Sequence, residues 1–223
     1  MPRRYSMPTR RMVLRQGLGA CLAAAVLPAT GLAAEVPTPD YAMIIDLGRC
    51  NGCLSCVVTC QEANDAMPGG FPTKIEETED ASGAFAVLRF LPILCNQCRE
   101  APCLAVCPNG AVRREADGIV VTDPKRCTGA GACVTACPYG MRFIDSRTGK
   151  VDKCDFCRER LAKGHVPACV EACPTGARSF GDRNSPAGLF ADQLAAGGLQ
   201  PHRPELGLEG AVLYRPGKRK EAS

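Results

Sequence analysis

Fifteen cysteines, arranged as one spacing repeated four times, constrain this chain more than anything else in it. The groups are Cys50, Cys53, Cys56, Cys60; Cys95, Cys98, Cys103, Cys107; Cys127, Cys133, Cys137; and Cys154, Cys157, Cys169, Cys173. Each complete group is three cysteines on a local stretch with a fourth set four residues after the third. Three of the last cysteines run into Cys-Pro-x-Gly: Cys107-Pro108-Asn109-Gly110, Cys137-Pro138-Tyr139-Gly140 and Cys173-Pro174-Thr175-Gly176, whereas Gln61 follows Cys60. Pro fixes the backbone there and Gly permits a sharp turn. A disulfide framework gives no reason for one local spacing to recur four times, and its odd count leaves a thiol over. Zinc ribbons set two ligand pairs about one ion, which a three-plus-one grouping fits poorly.

The spacing is that of bacterial ferredoxins, in which the close cysteines grip one iron–sulfur cube and the last ligates the other cube of a pair. Four groups then make two dicluster units. Composition agrees: seven Phe, four Tyr and no Trp in 223 residues are too few for an aromatic core, and 46% hydrophobic with 22% charged residues is not a disordered composition. Clusters would fill the middle of each unit. We expect an α+β fold of two ferredoxin-like units with short strands and helices, long loops and an extended C-terminal arm. Strands are expected at 41–47, 85–91, 119–122 and 142–144 with 151, and helices at 55–63 and after Cys103, Cys133 and Cys169. Residues 64–84 read as an inserted loop and 181–223 as a C-terminal helix and arm.

The basic charge sits at the front. Residues 1–34 hold five of the 27 basic residues and no acid, so a net charge of +4 becomes −1 without them. Thr9-Arg10-Arg11-Met12-Val13-Leu14-Arg15 matches a twin-arginine export signal, and the Gly/Ala-rich stretch 17–34, containing Cys21, ends in small residues. A periplasmic location follows, by a route that carries folded proteins with cofactors already inserted. The alternative is an uncleaved anchor, although Gly17, Gly19, Pro28 and Gly31 make the stretch poorly helical. No other segment is apolar enough to span a bilayer.

Leu94-Cys95-Asn96-Gln97-Cys98, Lys153-Cys154-Asp155-Phe156-Cys157 and Pro167-Ala168-Cys169-Val170-Glu171-Ala172-Cys173-Pro174 resemble the four-cluster iron–sulfur subunits of the dimethyl sulfoxide reductase family. Those are of the tetrathionate, thiosulfate and polysulfide reductase type, with the iron–sulfur subunit of nitrite-linked quinol dehydrogenases close by. The resemblance implies an electron-transfer subunit with no catalytic site of its own. Its partners would be a large molybdopterin subunit and a membrane-embedded quinone-reactive subunit. The alternatives are a quinol dehydrogenase feeding a multihaem cytochrome, or a free-standing periplasmic ferredoxin. The resemblance also implies units of 41–63 with 148–180, and of 85–147, and it implies the ligand sets: cluster one Cys50, Cys53, Cys56 and Cys173; cluster two Cys154, Cys157, Cys169 and Cys60; cluster three Cys95, Cys98, Cys103 and Cys137; cluster four Cys127, Cys133 and Cys107.

Ala130 stands where a cysteine would complete the fourth set. A methyl group cannot ligate iron, so the expectation is three 4Fe-4S clusters and one 3Fe-4S cluster. The rivals are four 4Fe-4S clusters, with water or a neighbouring oxygen such as Thr128 on one iron, and an empty site.

Other features read as structural. His165 and His202 lie outside the cysteine groups. The stretch 61–94, with Pro68, Gly69, Gly70 and acidic Glu76, Glu77, Glu79 and Asp80, reads as loop plus hairpin. Ser185-Pro186 opens a helix that Gly197-Gly198 ends, and a short apolar run follows at 211–214 in an arm over the clusters. Lys218, Arg219 and Lys220 are too few charges to argue nucleic-acid binding.

Overall fold

The most apolar strand is the middle of the sheet. In the computed structural model, which describes residues 37–80 and 87–217, β1 (Tyr41–Asp46) has Ala42, Met43, Ile44 and Ile45 fully buried. Burial on both faces is worth roughly 2 kcal/mol for each large side chain. The alternation of strand side chains sends Met43 and Ile45 to one face and Ala42 and Ile44 to the other. The first face joins a core containing Cys56, Cys154 and Cys169; the second is covered by Phe190. Phe190 belongs to α6 (Gly188–Ala195), the helix expected after Ser185-Pro186.

Neighbours of β1 come from far along the chain. It pairs antiparallel with β8 (Arg178–Asp182) and parallel with β10 (Val212–Arg215), which in turn pairs with β9 (Gln200–Pro201), giving the order β8-β1-β10-β9. The C-terminal arm packs Leu206 and Leu208 against the core that holds Cys98, Cys103 and Cys133, then ends as a sheet strand beside β1: Val212 and Tyr214 are buried, and the Tyr214 hydroxyl donates to Pro92 O at 3.0 Å. Its alternating buried and half-buried residues carry the short apolar run into the core.

Three hairpins complete the strands. β2 (Thr73–Asp80) pairs with β3 (Val87–Leu94), β4 (Val112–Arg114) with β5 (Val120–Thr122), and β6 (Phe143–Asp145) with β7 (Lys150–Asp152). The first is the hairpin expected in 61–94, so the segment read as an inserted loop carries a strand. β3 runs on to Leu94, beyond the expected 91, because Ile93 and Leu94 are buried at its base.

Helix α1 (Ser55–Ala63) matches the expectation. The helices expected after Cys103, Cys133 and Cys169 are single turns that contain the cysteine rather than follow it: α2 (Pro102–Ala105), α3 (Ala132–Thr135) and α5 (Ala168–Glu171), with a further turn, α4 (Arg158–Leu161), after Cys157. One turn has no stability of its own. It persists because its cysteine is buried and Cys-Pro-x-Gly stops it two to three residues later. The helices pair: α1 packs on α5, and α2 on α3.

Two of the apolar cores contain cysteines. One joins Met43, Val57, Leu94, Phe156 and Phe180 to Cys56, Cys154 and Cys169, with the Phe156 and Phe180 rings edge to face at 5.2 Å. The other joins Ile93, Val112, Val120, Tyr139 and Met141 to Cys98, Cys103, Cys127 and Cys133. Cysteines are core residues in both, so few rings are needed. The twin-arginine motif, the stretch 17–34 with Cys21, residues 81–86 and the basic residues Lys218, Arg219 and Lys220 lie outside the described residues.

Candidate metal centres

All fifteen cysteines from Cys50 to Cys173 are free thiols, and the fold gathers them around hollows. Cys60, Cys154, Cys157 and Cys169 line a cavity of about 170 Å3 together with Asn64 and Lys153. A smaller hollow is lined by Cys50, Cys53, Cys56 and Cys173, with Arg178 in its wall. Another is lined by Cys107, Cys127 and Cys133, with Thr128, Gly129 and Ala130. Cys95, Cys98, Cys103 and Cys137 also gather: burial first, then the neighbouring Cys95, Cys103 and Cys137, push the Cys98 thiol up to about 12. Every set draws on two groups distant in sequence. Two larger clefts, of about 470 and 350 Å3, contain no cysteine and present mixed surface charges such as Asp145 with Lys150 and Asp40 with Arg183.

One backbone device recurs in all four loops. The residue just before the second ligand position is left-handed each time: Gly52 (φ 73°) before Cys53, Gln97 (51°) before Cys98, Gly129 (76°) before Ala130 and Phe156 (59°) before Cys157. Two of these are not glycine, so the loops store strain at the sites themselves. Glycine is demanded at 129, where a Cβ would lie 2.2 Å from Gly149 O. The third loop therefore keeps the shape of the other three although Ala130 has replaced the thiol.

The hollows are poor places for bare thiolates and good ones for compensated sulfur. Burial, followed by Cys169 and Cys157, pushes the Cys60 thiol up to about 12, and burial likewise raises Cys154 and Cys169. Cys107 and Cys173 go the other way: burial raises them, but the N–H groups beyond their Cys-Pro-x-Gly turns outweigh it and leave both lowered. Ala111 N–H donates to Cys107 Sγ at 3.2 Å, which gives the repeated turn its chemical purpose. Among the described residues no three His, Cys, Asp or Glu side chains close on a single ion. Thiols spread around a hollow, one to each iron, are instead what an iron–sulfur cube takes.

Sequence reading missed the groups that surround the sulfurs. Asn64 Nδ2 lies 3.6 Å from both Cys60 Sγ and Cys157 Sγ and donates to Cys60 O at 2.9 Å. Arg178, Arg142 and Lys153 are buried. For the two arginines a signal existed, since Cys137-Pro-x-Gly-x-Arg142 repeats as Cys173-Pro-x-Gly-x-Arg178. For Asn64 there was none. The two histidines are loop residues, with His202 tilted against the Tyr139 and Tyr214 rings at 5.6 and 5.7 Å.

Comparison with known proteins agrees with this donor chemistry. Residues 86–183 match the 4Fe-4S dicluster domain. The chain is 44% identical over 190 residues to a tetrathionate reductase subunit of Salmonella typhimurium, covering 79% of this chain and 76% of that one. It is 39% identical over 187 residues to protein NrfC of Escherichia coli K12, covering 82% and 83%. It is 44% identical over 135 residues to the thiosulfate reductase electron transfer subunit PhsB of Salmonella typhi, covering 59% and 70%. The chain belongs to this family of ferredoxin-like iron–sulfur subunits. It is an electron-transfer subunit with no catalytic site of its own, and its cysteines bind 4Fe-4S clusters. Among the described residues no helix is long and apolar enough to cross a membrane.

Proposed function

We propose that the chain carries electrons along four clusters between a membrane-embedded quinone-reactive subunit and a molybdopterin catalytic subunit, in the periplasm, after twin-arginine export. The observation that carries this is the convergence of distant cysteine groups. Site one would be Cys50, Cys53, Cys56 and Cys173; site two Cys60, Cys154, Cys157 and Cys169; site three Cys95, Cys98, Cys103 and Cys137; site four Cys107, Cys127 and Cys133. Sets one, two and four each share one hollow. A bound cluster supplies one-electron oxidation and reduction. The chain holds it through thiolates, keeps water away with the two apolar cores, and aims N–H groups at sulfur. The sites would lie in the order one, two, three, four, with site one toward the catalytic subunit.

Site four would hold a 3Fe-4S cluster, the others 4Fe-4S. Ala130 lines that hollow in the same loop shape that elsewhere presents a thiol, so the fourth iron has no ligand from this loop unless Thr128 or water provides one. Salmonella relatives named as tetrathionate and thiosulfate reductase subunits favour a sulfur-oxyanion reductase as the complex. Similarity to NrfC sustains the second reading, a quinol dehydrogenase feeding a multihaem cytochrome.

Anaerobic loading followed by iron analysis and EPR tests the cluster content. The expectation is about fifteen irons per chain with an oxidised three-iron signal; sixteen with no such signal removes the 3Fe-4S assignment. Proteins that purify with the chain from mild detergent decide the complex: a molybdopterin subunit supports the first reading, a multihaem cytochrome the second, and a monomer neither.

A further inference from the structure

Three cations are buried in this chain with no carboxylate in ion-pair contact among the described residues: Arg178 (2% exposed), Lys153 (5%) and Arg142 (4%). A buried unpaired charge is costly, and a fold keeps one only where something compensates it. Their neighbours are sulfur, hydroxyl and carbonyl. Arg178 Nη1 lies 3.6 Å from Cys169 Sγ and Nη2 donates to Thr73 Oγ1 at 2.9 Å; Cys169 and Thr73 line the site-two cavity, while Arg178 itself lines the hollow of site one. Lys153 lines the site-two cavity, and its Nζ donates to Cys154 O at 2.8 Å and to Val120 O. Val120, the residue whose carbonyl it holds, packs in the second core with Cys98 and Cys103 of site three. Asp152 bears on Lys153 through space but forms no ion pair with it. Arg142 follows Met141, which packs in the second core with Cys98 and Cys103 of site three, and its Nη1 donates to Thr122 Oγ1 at 3.3 Å, a residue lining the hollow of site four; its Nη2 is buried without a partner.

The three cations therefore alternate with the four sites: Arg178 between one and two, Lys153 between two and three, Arg142 between three and four. We propose that they are the charge-positioning residues of the relay, each holding up the reduction potential of the two clusters it separates and stabilising an electron passing between them. This rests on the ligand sets proposed above. One-electron reduction adds one negative charge and breaks no bond; the electron leaves the neighbouring site, which is oxidised by the same amount. A fixed cation in a poorly screened interior favours the reduced member of each neighbouring couple. The repeat Cys-Pro-x-Gly-x-Arg supplies two of the three, and its third copy has Val112 in the Arg position, beside site four.

Redox titration of the anaerobically loaded full chain, reduced with dithionite and followed by EPR, tests this in Lys153→Gln, Lys153→Arg, Arg178→Gln and Arg178→Lys. With wild-type iron content, each neutral variant should lower the two flanking midpoints by about tenfold in the reduction equilibrium, about 59 mV for one electron, and each charge-keeping variant should restore them. Full iron with four unchanged midpoints, or an equal fall at all four sites, overturns the proposal. Should the neutral variants fail to take up iron, pulsed EPR of the wild-type chain labelled with 15N-guanidino arginine decides instead. A nitrogen coupling on a reduced-cluster signal, lost in Arg178→Lys, supports the placement, and no coupling on any signal overturns it. A wild-type chain that takes up no iron would sink the ligand sets themselves, a result distinct from all of these.

Discussion

The cavity shared by Cys60, Cys154, Cys157 and Cys169 and the hollow shared by Cys107, Cys127 and Cys133 are built from the same local parts. Both take a Cys-loop with a left-handed residue before its second ligand position, and both take a single-turn helix with a buried cysteine. Their surroundings differ. At site two Cys154 and Cys169 are buried, Asn64 lies within reach of two sulfurs and Arg178 of a third. At site four Ala130 and Thr128 are exposed, and the sulfur contacts are backbone N–H groups, from Ala111 to Cys107 and from Val151 to Cys127. Loop shape is thus set by the backbone and survives loss of the ligand. What each site can bind is set by side chains brought in from elsewhere.

The comparison can be broken most severely at site two. Cys169→Ser removes a ligand from the centre of the first core, so site two should lose its cluster, about four irons per chain, and the thermal transition should drop with it. Iron analysis with calorimetry checks both; unchanged iron would separate Cys169 from that site. The converse change is Ala130→Cys. Because the loop already has the ligand-bearing shape, one iron should be gained, the oxidised three-iron EPR signal should vanish and the site's potential should fall. A persistent three-iron signal would show that shape alone does not suffice. Gly129→Ala probes the shape itself: a Cβ at positive φ, 2.2 Å from Gly149 O, should cost about 2 kcal/mol, read as a lower denaturation midpoint with site four more affected than site two. Smallest is Asn64→Ala. It removes N–H donors from two site-two sulfurs while keeping every ligand, so iron should stay constant and that site's midpoint alone should fall modestly in a redox titration.

The two sites also show what a sequence makes visible. Cysteine spacing and the Cys-Pro-x-Gly turns are local, so the donor groups, α1, β1 and the first hairpin could be read along the chain. The single-turn helices were misplaced by a few residues, because their limits depend on which side of each thiol the wall of its hollow lies. Arg178 stands in a repeated Cys-Pro-x-Gly-x-Arg motif, yet what it touches shows only when Thr73, 105 residues away, and Cys169 are beside it. Asn64 gains its meaning only where Cys157, 93 residues on, comes to share its amide with Cys60. For Asn64 only long-range juxtaposition, which no period or motif encodes, reveals the contact.

The parallel pairing of β1 with β10 places demands on timing. Asp46 and Arg215, neighbours across that pair, are 169 residues apart in the chain, and Met43 N–H is satisfied by Ala211 O at 2.9 Å. While the polypeptide is still leaving the ribosome, β1 has neither β8 nor β10, and its buried Met43 and Ile45 have no finished core. Sheet closure therefore waits for a stretch of chain made long after β1. The first hollow waits too, since Cys50, Cys53 and Cys56 are made well before the Cys173 that completes its lining.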